Sequence, residues 1–457
     1  EMFFVRGQLN QLLAGLAGSL ISLSAGLSLS WTSLVLRTWL HPDSPIPLTV
    51  AESSWVVSLS SFGALISIVP GGMLANVVGR KLPLLLCPFL EGVGWVFIIL
   101  ATRVEMLYIA RLLQGISIGI LYTVIPLYLG EIAAVNIRGL VGTLYFGATY
   151  AGVLIEYVFG VFLSPNNLLY FNLFLQIVAF FAFLRMPESP HYLMAKDRGA
   201  ESIKALQWLR VGVSEDEIRN EAQIIDRNVE TFKTSENFLK DIFSTRASLK
   251  ALFIVINTAV VRTFSGSLTI VGYASYIFQV SGSSFLSPDG FAVVIGVIQF
   301  VGFLVSAPSV DRLGRRFLLT SSTLVCGLCH ASFAVYLYLK TSTHLVVFTW
   351  IPPALLSIYY FFMALGVGSL LGVLKTELFP INTRSWAAII SSLFGASMDF
   401  FASKSYLLIA VGVGIHWNHV IYAVICFCGF LVYMIFLPET KGLTFEEVQI
   451  RLAKRIT

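Results

Sequence analysis

Apolar positions dominate this 457-residue chain in long unbroken runs and do not alternate with polar ones. Crossing the hydrocarbon core of a bilayer takes about twenty apolar residues in a helix. Runs of that size lie near 10–36, 52–75, 82–101, 105–130, 139–163 and 167–186, and again near 251–280, 289–310, 316–339, 345–374, 386–413 and 417–437. In lipid every backbone polar group must be satisfied within its own segment, so each run is expected as a helix. The pattern predicts an all-α polytopic membrane protein of twelve transmembrane helices. One six-helix bundle covers 1–186 and a second covers 251–440.

Residues 187–250 break the pattern. They carry Lys196, Asp197, Arg198, Glu201, Lys204 and the run Glu215, Asp216, Glu217, while Ile218, Ile224, Ile225 and Val229 recur at roughly helical spacing. This stretch reads as a linker of amphipathic helices lying against the bundles, with disorder as the alternative. Residues 441–457 read as a tail.

Composition supports the membrane reading. Charged residues make up 12% of the chain and apolar ones 56%, with 36 Gly and 36 Phe, a mixture suited to helices packed closely in lipid. The net charge of +5 calls for no nucleic-acid partner, because the basic residues gather at span ends. Arg80, Lys81, Arg138, Arg312, Arg315, Arg316 and Arg384 fall on the side of the charged linker, against Arg37, Arg103 and Lys340 on the other. The basic side is expected to be cytoplasmic, with both termini. No cleavable signal peptide and no Asn-x-Ser/Thr sequon is evident. Cys326 and Cys329 form a CxxC, yet all five cysteines lie inside apolar spans, where helix packing is the expected role. His416-Trp417-Asn418-His419, between the last two spans, is expected as an aromatic anchor at the membrane surface and not as a metal site. No cofactor, no metal and no enzymatic constellation is expected.

The halves repeat each other. Gly79-Arg80 and Gly314-Arg315 each follow the second span of their half. Glu131 and Arg138 stand seven apart after the fourth span, as do Glu377 and Arg384 after the tenth. Pro187-Glu188-Ser189 and Pro438-Glu439-Thr440 close the sixth and twelfth. These charges suggest a cytoplasmic gate of Arg80, Lys81, Glu131, Arg138, Glu188, Arg315, Arg316, Glu377, Arg384 and Glu439. Pairs among them would form while that side is shut and break when it opens. Anchoring of helix ends in the headgroups is the simpler alternative.

These motifs resemble the sugar porter family of the major facilitator superfamily over essentially the whole chain. The resemblance rests on Gly79-Arg80-Lys81, Arg111…Gly115, Pro126-Leu127-Tyr128…Glu131…Arg138-Gly139, Pro187-Glu188-Ser189-Pro190, Asp311 to Arg316, Glu377-Leu378-Phe379-Pro380 and Pro438-Glu439-Thr440-Lys441-Gly442. The insect facilitated trehalose and glucose transporters are the nearest in flavour, partly through Trp31-Thr32-Ser33. Asn76 and His191 depart from the pattern, standing where the family carries Asp and Arg. The resemblance implies a plasma-membrane carrier with a central cavity and alternating access, whose partners are the lipid bilayer and a small solute, expected to be carbohydrate. The first helix lacks the acid of proton-coupled members, which implies facilitative uniport.

The family's sugar-binding positions are largely substituted here. The expected cavity positions are Phe146, Thr149, Tyr150, Arg262, Thr263, Leu268, Tyr273, Gln299, Gly372 and Gly395, with Phe146, Arg262, Thr263, Leu268, Gly372 and Gly395 in place of polar or aromatic family residues. Each sugar hydroxyl stripped of water without a new partner costs about 1–3 kcal/mol. A less polar or anionic solute, or a receptor that binds without transporting, therefore stands beside the sugar reading. Glu91, Glu156 and Arg262 are ionisable within spans. Arg262 either pairs with Glu156, meets an anionic solute, or lies with Glu156 near the outer surface. Asp399 and Lys404 read as an intrahelical or interfacial pair.

Overall fold

The computed structural model describes residues 8–41, 43–134, 137–233, 242–282, 287–343, 348–379, 381–443 and 445–453. The first bundle comprises α1 (Leu9–Trp39), α2 (Val50–Val78), α3 (Lys81–Ile99), α4 (Val104–Ile132), α5 (Arg138–Phe162) and α6 (Pro165–Leu184). Three shorter helices follow, α7 (Pro190–Ala195), α8 (Gly199–Leu209) and α9 (Glu215–Lys233). The second bundle comprises α10 (Arg246–Phe264), α11 (Ser267–Ser281), α12 (Pro288–Leu313), α13 (Arg315–Thr343), α14 (Ile351–Met363), α15 (Ser369–Leu378), α16 (Ile381–Ile409) and α17 (Ile415–Phe436); α18 (Phe445–Ala453) closes the described chain. Among the described residues eleven apolar stretches are long enough to cross a bilayer. The last of them, Trp386–Phe436, is 51 residues long and holds two spans, so the architecture has twelve.

Helix starts are written locally. Thr49 and Glu52 form a reciprocal capping box at α2, and Ser164, Ser189, Thr245 and Ser287 cap α6, α7, α10 and α12. Small residues set the packing. At the α1–α5 crossing, Gly26 and Gly152 let the backbones touch; a Cβ on Gly152 would run into the Leu23 carbonyl oxygen. Arg111 ties α1, α2 and α4 together. It is 1% exposed and donates to the carbonyls of Val56 (3.1 Å) and Ser28 (2.8 Å), to Ser60 Oγ (2.9 Å) and to Gln114 Oε1 (2.8 Å). A buried guanidinium is tolerated only when its donors are satisfied in this way.

Three spans of the second bundle depart from the uninterrupted helices expected. The seventh is broken between α10 and α11 at Gly266, whose φ of +84° is left-handed. The tenth, expected at 345–374, runs as α14 and α15 joined by a π-helical turn, Ala364–Gly368. The eleventh ends in a second π turn, Ala410–Gly414, before the chain reverses into α17.

The linker helices pack at one face of the bundles. Asn10 and Gln11, at the start of α1, donate to the carbonyls of Trp208 and Leu209 in α8, and Arg210 donates to Ile132 O at the end of α4. Leu206, Ile218, Ala222 and Ile225 form a small apolar core of their own, the physical reason α8 and α9 are packed helices.

Candidate functional site

The repeated charge motifs build two matching clusters at the linker face. In the first, Arg80 forks onto Glu131 (Nη2–Oε1 2.8 Å, Nε–Oε2 2.9 Å) and donates to Ala75 O. In the second, Arg315 meets Glu377 (Nε–Oε1 3.0 Å, Nη2–Oε1 2.9 Å) and donates to Val310 O. Ser189 and Thr440 donate hydroxyls to Glu131 and Glu377. Glu188 accepts the backbone N–H groups of Arg80, Lys81 and Ser189, and Glu439 those of Arg315, Arg316, Thr440 and Lys441. Each carboxylate thus sits on the first turn of a transmembrane helix, α3 or α13, where unpaired donors and the helix dipole favour negative charge.

The turns that make this possible are glycines. Gly79 (φ +103°) and Gly314 (φ +86°) hold conformations that L-residues resist, and a Cβ at either would strike the capping carboxylate. Both Arg–Glu pairs join elements of one bundle. The Arg316 side chain turns away to Met434 O (2.7 Å). The Arg138 and Arg384 side chains lie outside the described residues.

Between the bundles, hydrogen bonds run along the face opposite the linker. Thr32 donates to Gly272 O (3.3 Å), Ser33 and Ser275 meet at 3.2 Å, and Tyr157 donates to Val271 O (2.7 Å). Asp399 and Lys404, expected to pair, do not. Asp399 Oδ2 accepts from Ser61 of α2 (2.6 Å), while Lys404 donates to Ser54 Oγ (2.8 Å) and stands 3.8 Å from the Trp55 ring centre. Both residues clamp α16 to α2 because their one-turn-plus spacing on α16 faces the neighbouring bundle.

Toward the middle of the interface, several expected cavity residues come together. Phe146 stacks near Tyr145 (4.1 Å) and lies under the Arg262 guanidinium, 5.7 Å from ring centre to Cζ. Arg262 also faces the Tyr150 hydroxyl, and Tyr150 packs on Phe303 across the interface at 5.5 Å. Gly372 lies against Phe146, Gly395 against Thr263, and Thr149 donates back to Tyr145 O. Gln299 is buried with its Oε1 unpartnered, and Leu268 is half-buried. Tyr273 is placed otherwise. It has no exposed surface, donates to Ser403 O (3.2 Å) and stacks on Tyr406 (4.9 Å) within the second bundle.

The pairing of Arg262 with Glu156 does not form. Glu156 is buried in the first bundle against Asn172 Nδ2 (3.0 Å). Glu91 of α3 accepts from Ser28 Oγ, so a carboxylate does reach the first helix, supplied by a neighbour. Of the stretch His416–His419, expected as a surface anchor, Trp417 is exposed. His419 is buried, with its Nδ1 3.2 Å from His330 Nδ1. Lys375 of α15 was not expected at the site. Its Nζ is 3.4 Å from Ser392 Oγ and within electrostatic reach of Arg262. The signal in the sequence is a lysine three residues after Gly372, which also lies only two residues before Glu377.

Comparison with known proteins agrees with this architecture. A facilitated trehalose transporter of Bombyx mori is 30% identical over 443 residues, covering 97% of this chain and 86% of that protein. One of Apis mellifera ligustica is 29% identical over 447 residues, covering 97% and 88%. Among solved structures, the partially occluded inward open conformation of the xylose transporter XylE from E. coli superposes with a TM-score of 0.79 at 18% identity, covering 95% of this chain and all of that one. A family model described as sugar (and other) transporter matches residues 19–452. With its paired bundles, its repeated charge clusters and that match along almost its whole length, the chain belongs to the sugar (and other) transporter family.

Proposed function

We propose that this chain is a facilitative uniporter of a sugar such as trehalose or glucose, working by alternating access. The observation that carries the reading is the family match over residues 19–452 on a structure built of two helical bundles. The bundles 1–186 and 251–440 act as the rocking units, and 187–250 and 441–457 as cytoplasmic linker and tail. The linker face is the cytoplasmic one, with both termini, in the plasma membrane. The conformation described is held together at the opposite face by the Ser61–Asp399 and Ser54–Lys404 bonds, so its cleft is read as facing the cytoplasm. The Arg80–Glu131 and Arg315–Glu377 clusters brace the cytoplasmic end of each bundle as a rigid unit, and the two ends approach when that side shuts.

Uptake of radiolabelled glucose and trehalose into cells lacking their own porters, with surface expression measured in parallel, tests the reading. Saturable uptake that follows the solute gradient and is insensitive to pH is expected. Absence of uptake from well-expressed protein overturns it in favour of a non-sugar solute or a sensing role.

A further inference from the structure

The interface between the bundles carries a charge balance that a neutral sugar leaves unused. Arg262 and Lys375 converge on it from α10 and α15. Among the described residues, neither has a carboxylate within ion-pair distance. Among the described residues Asp399 is the carboxylate whose field reaches Arg262, and its Oδ2 is already engaged by Ser61 while Oδ1 is buried and unpartnered. Two cations against one carboxylate leave an excess of one positive charge. Like charges in a low-dielectric cleft repel, and water does not screen them fully there. A bound anion removes that repulsion.

The geometry also selects the kind of anion. The Arg262 guanidinium lies over the Phe146 ring, 5.7 Å from its centre, and faces the Tyr150 hydroxyl; a guanidinium is the cation whose paired N–H donors match a carboxylate. Tyr150 presents its hydroxyl to Arg262, the Tyr122 hydroxyl meets Thr149 within electrostatic reach of Arg262, and Gln299 Oε1 is buried and unpartnered. We propose that the solute of this cleft is a carbohydrate bearing a single carboxylate. Arg262 and Lys375 hold the carboxylate, and Tyr122, Tyr150 and Gln299 hold the hydroxyls. The inference rests on the transport reading above and moves its substrate from a neutral sugar to an acidic one.

The test reconstitutes the full chain in liposomes and measures flux of labelled glucuronate, glucose and trehalose under imposed potassium diffusion potentials. Glucuronate uptake is expected to saturate and to be driven by an inside-positive potential. For a monoanion the steady-state accumulation ratio then changes by roughly fifty-fold per 100 mV. Arg262→Gln and Lys375→Gln are each expected to lower glucuronate flux at least about ten-fold. If Arg262→Gln fails to fold, Lys375→Gln carries the same reading.

Saturable glucose or trehalose flux that glucuronate neither accompanies nor inhibits overturns the anion inference and leaves transport standing. If no solute moves, thermal stability of the purified chain separates the two ideas. Stabilisation by glucuronate in wild type, lost in Lys375→Gln, supports the anion site and sinks transport. No stabilisation overturns the anion site as well.

Discussion

Glu188 and Glu439 each accept at least three backbone N–H bonds, so the local chemistry at the two helix starts is the same although their sequences differ. For Glu439 burial acts to raise the carboxyl pKa, but the N–H donors of Lys441, Arg315, Arg316 and Thr440 outweigh it and leave it below its usual value. A carboxyl depressed in the folded state contributes stability above its unfolded pKa, near 4.3, and loses it as pH falls through the folded value. Glu439→Gln is therefore expected to melt lower than wild type at pH 7, with the gap narrowing below about pH 4; a constant gap in scanning calorimetry would remove the charge from the explanation. Gly314→Ala combines a forced positive φ with a clash against the same carboxylate. It is expected to cost about 2 kcal/mol, read as a fall in melting temperature. A neutral outcome would mean that the turn is not held as described.

Elements show where the two bundles differ despite their repeat. α1 and α5 meet through Gly26 and Gly152 with backbones in contact, an arrangement any added side chain must push apart. Gly152→Val is expected to destabilise by about 1–3 kcal/mol, measured by thermal unfolding in detergent. In the second bundle the interruptions at Gly266 and at Ala364–Gly368 fall in the spans that flank the cleft, and Gly368 lies against the Tyr150 hydroxyl. Hydropathy is blind to such breaks, since glycine within an apolar run keeps the run apolar while permitting the backbone to depart from the α-helix.

At the scale of the molecule, the far face is held by a few polar contacts between bundles, and their removal is expected to shift the balance of states. Lys404→Ala gives up a bond to Ser54 and the contact with the Trp55 ring, together worth about 1 kcal/mol. A cysteine introduced at Ser275 should then label from the face opposite the linker about five times faster. Unchanged labelling would show that these contacts do not hold the face shut. Glu377→Ala removes the partner of a largely buried Arg315 and is expected to shift the resting equilibrium between inward- and outward-facing states. An unaltered pattern of cysteine accessibility would count against a gating role for the second cluster.

The order of apolar runs determined the twelve spans, the linker and the two halves, because hydrocarbon leaves the backbone no alternative to the helix. Repeated residues such as Gly79-Arg80 and Gly314-Arg315 likewise announced matched clusters, since a left-handed turn followed by a cation is a local requirement. Tertiary structure alone decided the partners. It placed Arg80 on Glu131 and not across the bundles, sent Asp399 and Lys404 to α2 instead of to each other, buried His419 against His330, and turned Tyr273 into the second bundle. It also brought Lys375 within electrostatic reach of Arg262. Those outcomes depend on how helices far apart in the chain rotate and cross, and a one-dimensional pattern carries charge and apolarity but not rotation.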